Sequence, residues 1–275
     1  MNKNFNTPKY EEYFIYSTDF LSLTTIPTDF SVNTIRTSPD TPFKIYATTF
    51  LATDSRLSVR FKDYDSGRYF QDTDSDIRNV AGRPLPPSVG STTMSPNNGE
   101  FLPYIWSTPY FIYPTATFTV EMANTSAIAN QCRMSFHGAK IQQGTPPWLK
   151  DYKQKVPYMN TVRFDNLAAN ATTSSAITTG KDGDFLITSI SLTRTGQGTI
   201  FITESTRGRD WMDKAVHLDN FAGQAYSPNN LLIKSPRFLE GGGALNITVT
   251  NLEADATNSV RVTFMGYKLL NRGYV

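Results

Sequence analysis

The stretch Leu57-Ser-Val-Arg-Phe-Lys-Asp63 alternates apolar and polar side chains, which places Leu57, Val59 and Phe61 on one face of an extended strand. The same alternation recurs in three other segments, at 116–122, 245–249 and 260–264. Thr, Val, Ile, Phe and Tyr are frequent in these segments, as is typical of half-buried strands. Helical periodicity is confined to short segments at 76–80, 148–155 and 210–216. The pattern predicts an all-β protein.

An internal repeat relates this strand to a second one. At an offset of 141 residues, Val59 aligns with Ile200 and Phe61 with Ile202. The offset is 142 upstream of this block and falls to 132 and then 128 downstream, so the matches stay collinear over four blocks. Other aligned pairs are Phe43 with Phe185, Ile45 with Ile187, Gly67 with Gly208, Phe70 with Trp211, and Asn130 with Asn258.

The repeat predicts two homologous β-domains with short segments around them. We expect an N-terminal arm over residues 1–19, a first sandwich over 20–141 and a second sandwich over 162–275. The segment 142–161 contains paired prolines and is predicted to be an extended, semi-rigid linker. The arm is rich in aromatic residues, which predicts that it docks on a protein surface.

The composition argues against several classes of protein. Of the 275 residues, 13% are aromatic and 18% are charged, against roughly 25% charged in an average globular protein. The single cysteine, Cys132, excludes an internal disulfide and a cysteine-based metal site. The formal net charge of +2 gives no electrostatic reason to expect nucleic-acid binding. No apolar run is long enough to span a bilayer, so we expect neither a membrane protein nor a secreted precursor.

Candidate chemical sites are few. Asp72-Thr-Asp-Ser-Asp76 has the alternating carboxylates of a calcium loop but lacks its later glycine and glutamate, so we interpret it as a solvated turn. His137 aligns with Met265, which predicts a packing role, and no nucleophile motif surrounds His217. Gly241-Gly-Gly243 lacks the lysine and helix of a phosphate loop and predicts a tight turn between strands. We therefore predict no catalytic residue, no metal ligand and no cofactor.

The two copies end in similar patterns. The first contains Phe101-Leu-Pro-Tyr104, Tyr110-Phe-Ile-Tyr-Pro114, Asn130 and Arg133-Met-Ser-Phe-His-Gly-Ala-Lys140. The second keeps Asn258, Arg261 and Phe264-Met-Gly-Tyr-Lys268, with Met265 in place of the histidine and without the proline turn. This pattern resembles the C-terminal region of several tailed-bacteriophage virion proteins, in which a proline-rich turn is followed by an Asn…Asn…Arg stretch and a closing strand ending in His-Gly-x-Lys.

The resemblance implies a non-enzymatic structural component of a phage particle, built as two tandem homologous jelly-roll-like β-sandwich domains and assembled into the virion in the host cytoplasm. Its expected partners are major capsid, neck or portal-associated subunits and further copies of itself, with a trimer favoured because six similar modules match a threefold or pseudo-sixfold site. Two alternatives remain open. One is a double jelly-roll major capsid protein of a tailless virus, and the other is a receptor- or glycan-binding head protein that uses loops 83–100 and 205–210.

Candidate interface residues come from three places. The arm and the linker supply aromatic side chains, and both copies place Gly-Arg ahead of an aromatic residue at the end of a strand. Because arginine and tryptophan are enriched in binding hot spots, we predict subunit contacts at these positions. The predicted residues are Tyr10, Tyr13 and Phe14 in the arm, Trp148 and Tyr152 in the linker, and Arg68, Phe70, Arg209 and Trp211 in the paired turns.

Overall fold

The computed structural model describes residues 9–19, 21–26, 29–54, 56–63, 67, 69–70, 73–81, 103–150, 152–222 and 231–270. Nearly all regular structure in these ranges is antiparallel β-strand, which confirms the all-β prediction. Among the described residues the helical elements are two 3₁₀ turns, Ile77–Asn79 and Pro147–Leu149, and one four-residue helix, α1 (Leu218–Phe221). Within these ranges no helix has the length and hydropathy needed to cross a bilayer.

The first half of the chain folds into two facing sheets. Its strands are β1 (Lys9–Ser17), β2 (Leu21–Leu23), β3 (Ser31–Arg36), β4 (Phe43–Ala52), β5 (Leu57–Asp63), β6 (Ser75–Asp76), β7 (Tyr104–Ile112), β8 (Thr117–Asn124) and β9 (Asn130–Gln143). One sheet has the order β1-β9-β4-β7, with β2 also paired to β9, and the other has the order β3-β8-β5-β6. Phe61, Phe118 and Phe136 are among the buried residues between them.

The second half repeats this arrangement. Its strands are β10 (Gln154–Leu167), β11 (Thr172–Thr178), β12 (Gly183–Arg194), β13 (Gly198–Glu204), β14 (Arg209–Asp210), β15 (Val216–His217), β16 (Leu231–Leu239), β17 (Ala244–Asn251) and β18 (Asn258–Leu270). Their orders are β10-β18-β12-β16 and β11-β17-β13-β14, with β15 also paired to β13.

Both halves are jelly rolls. When the strands of each half are counted one to eight, leaving out the short β2 and β15, the two sheets have the orders 1-8-3-6 and 2-7-4-5 in both halves. This is the arrangement of an eight-stranded double-sheet jelly roll. The predicted fold, two tandem jelly-roll sandwiches, is therefore confirmed. We refer to residues 9–143 as the first jelly roll and to residues 154–270 as the second.

The domains begin earlier than the sequence patterns predicted. β1 lies inside the predicted arm and pairs with β9 along its whole length, from Lys9 opposite Gln143 to Ser17 opposite Ser135. β10 begins inside the predicted linker and pairs with β18 in the same way. Each is the first strand of its jelly roll, and without it the backbone of the eighth strand would lack hydrogen-bond partners on one side. The connection between the jelly rolls is therefore only 144–153.

The two jelly rolls also share a shift of strand register at the same aligned position. β4 shifts register against β9 just after Ile45, and β12 shifts against β18 just after Ile187, the aligned residue. A glycine lies opposite each shift, Gly138 in β9 and Gly266 in β18. A Cβ atom at either glycine would overlap a backbone carbonyl oxygen of the neighbouring strand. The shared Gly of the closing motif is thus required by close backbone approach.

The shared asparagines of the motif hold turns. Asn130 accepts a hydrogen bond from the backbone N–H of Asp54 and donates one to its carbonyl. Asn258 accepts from the N–H of Gly196, which aligns with Asp54, and donates to the carbonyl of Gln197. Both side chains are at most 2% exposed. Such buried amide side chains form hydrogen bonds with the backbone N–H and C=O groups of a turn, which are not paired with a neighbouring strand.

The strand registers also correct one part of the sequence alignment. Ile45 on β4 lies opposite Tyr110, and the aligned Ile187 on β12 lies opposite Arg237. Tyr110 therefore corresponds to Arg237 at an offset of 127, where the alignment at 128 had matched it with Phe238. One extra residue in the turn after β17 restores the offset of 128 in the last strand.

Candidate functional site

Strand β1 divides its side chains between the cores of the two jelly rolls. Phe14 and Tyr16 lie in the core of the first jelly roll, and Tyr13 and Ile15 lie in the core of the second. All four are at most 3% exposed. Because alternate side chains of a strand point to opposite faces, one strand can serve two cores. The two jelly rolls are therefore packed together through β1.

The backbone of β1 also binds the second jelly roll directly. The N–H of Ile15 donates to the carbonyl of Trp211 at 3.0 Å, and the N–H of Asp213 donates to the carbonyl of Ile15 at 3.1 Å. The Trp211 ring is 1% exposed and packs edge-on against Phe264. We call this region, comprising β1, β16 and residues 209–213, the interdomain contact.

A buried ion cluster lies in the interdomain contact. The Glu12 carboxylate on β1 is 2.9 Å from Arg237 on β16 and 3.3 Å from Arg209. Arg237 also donates to the carbonyls of Tyr13 and Asp210, at 2.8 and 3.0 Å. Burial lowers the pKa of the Arg237 guanidinium, and the nearby carboxylate of Glu12 opposes that shift. Hydrogen bonds and opposite charge together make a buried ion pair tolerable.

Both histidines are buried, and His137 lies beside the interdomain contact. His137 on β9 is 2.9 Å from the Tyr13 hydroxyl through Nδ1 and 3.2 Å from the Thr49 hydroxyl through Nε2. His217 caps α1 by accepting the N–H of Asp219. Burial lowers the pKa of each imidazole to about 4. Both rings are therefore neutral near pH 7 and act as packed hydrogen-bonding groups.

Asp213 and Arg133 join the jelly rolls at the end of β1. The Asp213 carboxylate accepts the N–H of Ser17 at 3.0 Å, and burial raises its pKa to about 6. Arg133 on β9 donates to the carbonyl of Thr18 at 3.1 Å and to that of Ala215. Its repeat counterpart, Arg261, is half exposed. The arginine of the closing motif thus has a joining role only in the first copy.

The predicted interface residues lie in different environments. Tyr13, Phe14, Arg209 and Trp211 all belong to contacts within this chain, at or beside β1. The placement of Tyr13 and Phe14 follows from the continuous apolar run of β1, which is typical of a strand covered on both faces. Their predicted role between subunits is untested, and within the chain they join the two jelly rolls.

The linker aromatics cover the outer face of one sheet. Trp148 and Tyr152 pack against a small cluster of Leu186, Phe238 and Leu269 in the second jelly roll. The Tyr152 hydroxyl donates to Asp184 at 2.6 Å, and Trp148 makes an edge-on contact with Tyr10 on β1. These residues therefore hold the short connection against the body of the protein.

The remaining predicted positions divide between described and undescribed parts of the chain. Phe70 packs edge-on against Tyr110, with ring centroids 4.3 Å apart. Arg68 and Asp72 lie outside the described residues, as does loop 83–100. Asp76 forms a short strand against β5, and no cluster of metal-ligating side chains occurs among the residues that the structure places. Gly241–Gly243 form the turn between β16 and β17.

A cleft of about 800 Å³ lies beside the interdomain contact. Its walls carry basic groups (Arg36, Lys140, Arg209) and acidic groups (Asp40, Asp210) in mixed order. The Lys140 ammonium lies 3.7 Å from the centroid of the Phe14 ring, and burial lowers its pKa. Since neither sign of charge dominates, the cleft has no electrostatic preference for an anion or a cation.

No protein-family model matches this chain, and no curated protein matches it. Three of the similar solved structures come from viruses. A chain from the atomic structure of Sulfolobus Turreted Icosahedral Virus has 8% identity and a TM-score of 0.26, over 93% of this chain and 61% of that one. A chain from an archaeal virus, in a structure described as a triple jelly-roll fold and turret assembly, has 8% identity and a TM-score of 0.26, over 92% and 60%.

A third similar structure is the infectious bursal disease virus VP2 subviral particle, with 11% identity and a TM-score of 0.19 over 99% of this chain and 80% of that one. This chain spans about three fifths of the length of the first two chains. TM-scores this low carry no argument about function. The jelly-roll assignment rests on the strand order of the protein itself.

Proposed function

We propose that this protein is a non-enzymatic structural subunit of a virus particle that binds and stabilises neighbouring subunits. The observation that carries the proposal is a pair of jelly rolls with identical strand order, joined through the shared strand β1. Jelly rolls are frequent in viral capsids and also occur in lectins and cupins. A pair of domains held by a common strand suits a subunit that keeps fixed positions between neighbours.

The sequence resemblance favours a tailed-phage particle, with the protein on the capsid shell or at the neck. Its partners there would be major capsid or neck-associated subunits. The outer face of the second jelly roll supports such contacts, because hydroxyl groups pair across its strands. Thr172 lies 2.9 Å from Thr250, and Ser174 lies 2.8 Å from Thr248, with all four hydroxyls near solvent. Uncharged polar faces of this kind suit wet protein interfaces.

A second candidate is the main shell protein of a tailless virus, built as a double jelly roll. It is favoured by the completeness of both domains, since each jelly roll has all eight strands and neither is reduced to an appendage. In this role the protein would build the shell itself. The receptor-binding alternative would use loops 83–100 and 205–210, of which 83–100 lie outside the described residues, so it stays untested.

The test is the number of copies in purified particles, measured by quantitative mass spectrometry against labelled standard peptides. A copy number equal to that of the most abundant shell protein supports the double jelly-roll shell. A smaller number that is still in large excess over the portal supports a protein attached to the shell, and a number close to that of the portal supports the neck. Absence of the protein from particles would contradict the virion role in all three forms.

A further inference from the structure

Strand β1 packs against one side of the second jelly roll. The side chains of Tyr13 and Ile15 lie in one buried cluster with Ile202, Trp211 and Ile233, and all five are at most 5% exposed. β1 runs beside β16, the last strand of its sheet, so it covers the open side of the sandwich.

The first jelly roll has a corresponding set of residues, and within the described part of the chain no strand covers it. Phe61, Phe70 and Trp106 correspond to Ile202, Trp211 and Ile233 by the strand registers. Phe70 donates its N–H to the Phe61 carbonyl at 3.0 Å, as Trp211 does to Ile202. β7 ends its sheet, and among the described residues no strand packs beside it as β1 packs beside β16.

A surface pocket lies at this place in the first jelly roll. Its volume is about 180 Å³, and its walls include Phe61, Phe70, Tyr104, Trp106 and Ser107. Tyr104 and its neighbour Ile105 are 41% and 50% exposed. An exposed apolar pocket at a sheet edge is typical of a protein contact site.

β10 is the counterpart of β1, because each pairs with the last strand of its own jelly roll. Tyr13 corresponds to Pro157 and Ile15 to Met159, since each pair lies opposite aligned residues of β9 and β18. Ile15 is fully buried, whereas Met159 is 67% exposed. Pro157 is exposed as well. The chain therefore presents at one outer edge the residues that correspond to those buried at the interdomain contact.

We infer that Pro157 and Met159 of one copy of this chain enter the pocket beside Phe70 of a second copy, as Tyr13 and Ile15 enter the second jelly roll within the chain. The inference names a partner for the structural role proposed above and rests on that role. The contact joins the β10 edge of one copy to the β7 edge of the next, so it is a head-to-tail contact. Such contacts close into rings or extend into filaments.

The charges at the two edges are compatible with this contact. Within the chain, Glu12 on β1 pairs with Arg237 on β16. The corresponding residues are Val156 on β10 and Tyr110 on β7. The contact between copies would therefore place an apolar side chain against an aromatic one and would bury no unpaired charge at this position. A ring of three chains would contain six jelly rolls, in agreement with the expected trimer.

The experiment uses two variants of the full chain, each blocked at one edge. Met159→Glu places a charge on β10, and Ser107→Arg places a bulky charge at the rim of the pocket. Each substituted side chain is exposed, so folding should be retained, which circular dichroism checks. By sedimentation velocity we expect the unmodified protein to self-associate and each variant alone to associate at least about 30-fold more weakly, the effect of losing a hot spot.

Mixing the two variants is the decisive step. Met159→Glu keeps an intact pocket and Ser107→Arg keeps an intact β10 edge, so their mixture should form one-to-one heterodimers and nothing larger. The matched control is Leu252→Glu, which changes another exposed apolar residue of the second jelly roll and should leave self-association unchanged.

The outcomes separate this contact from the virion role. If the unmodified protein stays monomeric at all concentrations, or if the mixed variants do not combine, the contact between copies is wrong, even when the protein is found in particles. If the mixture combines as expected but the protein is absent from particles, the contact holds and the virion role fails.

Discussion

Glu12 on β1 and Arg237 on β16 form an ion pair with an N–O distance of 2.9 Å, and both side chains are at most 4% exposed. The pair joins the first strand of one jelly roll to the sixth strand of the other. Arg237 also donates hydrogen bonds to the carbonyls of Tyr13 and Asp210. The contact between the jelly rolls therefore combines an apolar core with a buried, hydrogen-bonded charge cluster.

Loss of this arginine should destabilise the whole protein. Arg237→Met leaves the Glu12 carboxylate buried without its closest cationic partner, and we expect a loss of about 3–5 kcal/mol in the free energy of unfolding. Urea denaturation at pH 7 measures it. Adding Glu12→Gln should recover part of the loss, because less buried charge then remains unpaired.

The control for this change is Arg261→Met. Arg261 lies 3.8 Å from Asp165 and both side chains are more than half exposed, so its loss should cost less than about 1 kcal/mol. Equal effects of the two arginine substitutions would show that the buried pair has no special role.

Ile15 lies on the first strand of the first jelly roll, but its side chain should stabilise the second jelly roll. Ile15→Ala removes buried methyl groups from the core of the second jelly roll, and we expect a loss of about 2–5 kcal/mol. Hydrogen exchange should become faster in β13 and β16 of that jelly roll. Val32→Ala, at a residue that is 56% exposed, should change stability by less than about 0.5 kcal/mol. Faster exchange confined to the first jelly roll would contradict the shared role of β1.

The two aligned glycines should be equally intolerant of a side chain. Gly138→Ala and Gly266→Ala each place a Cβ against the carbonyl oxygen of Lys44 or Leu186, and each should cost about 1–3 kcal/mol or more. The effects should add in the double variant, since the sites lie in different jelly rolls. Thermal unfolding measures both, with exposed Ser174→Ala as a neutral control. A stable Gly266→Ala protein would contradict the repeated backbone geometry.

Acid should destabilise the protein through its histidines. The folded pKa of His137 and of His217 is about 4, below the ordinary 6.5, so the unfolded chain binds protons that the folded chain does not. Stability therefore falls as the pH decreases from about 6.5 towards 4, by at most about 1.4 kcal/mol per pH unit for each histidine. His137→Met, which introduces the residue found in the second copy, should reduce this slope in urea denaturation at pH 7, 6 and 5.

Asp213 should change the pH dependence of stability in the direction opposite to that of the histidines. Burial raises its folded pKa to about 6, so the folded chain takes up this proton more readily than the unfolded chain. Its protonation opposes the effect of the histidines as the pH falls through 6. Asp213→Asn removes that opposition and should make the loss of stability in acid steeper. A shallower pH dependence in this variant would mean that the carboxylate is ionised and well stabilised in the fold.

The strands and their repetition were readable from local patterns. Alternation around Val59 and Phe61, and its return around Ile200 and Ile202, depends only on which face of a strand is buried. The turn at Gly241–Gly243 and the packing role of His137 followed from the same comparison of copies. These features are local, or are fixed by sequence offset, so they needed no three-dimensional information.

The domain boundaries could not be obtained in that way. The run Tyr13-Phe14-Ile15-Tyr16 has no alternation, because both faces of β1 are buried in different cores. Such a continuous apolar run is typical of a strand covered on both sides, which is the signal that would have identified it as part of the body. Sequence alone does not state which surfaces cover the two faces.

The amino-acid sequence by itself determined the all-β class, the duplication and the buried face of the alternating strands, because side-chain periodicity and a fixed offset carry that information along the chain. Only the tertiary structure decided which jelly roll each residue of β1 serves, that Arg237 meets Glu12, and that Met159 lies exposed where Ile15 is buried. Those relationships depend on how separate strands pack against each other in space. The burial of apolar surfaces that are distant in sequence stabilises that packing.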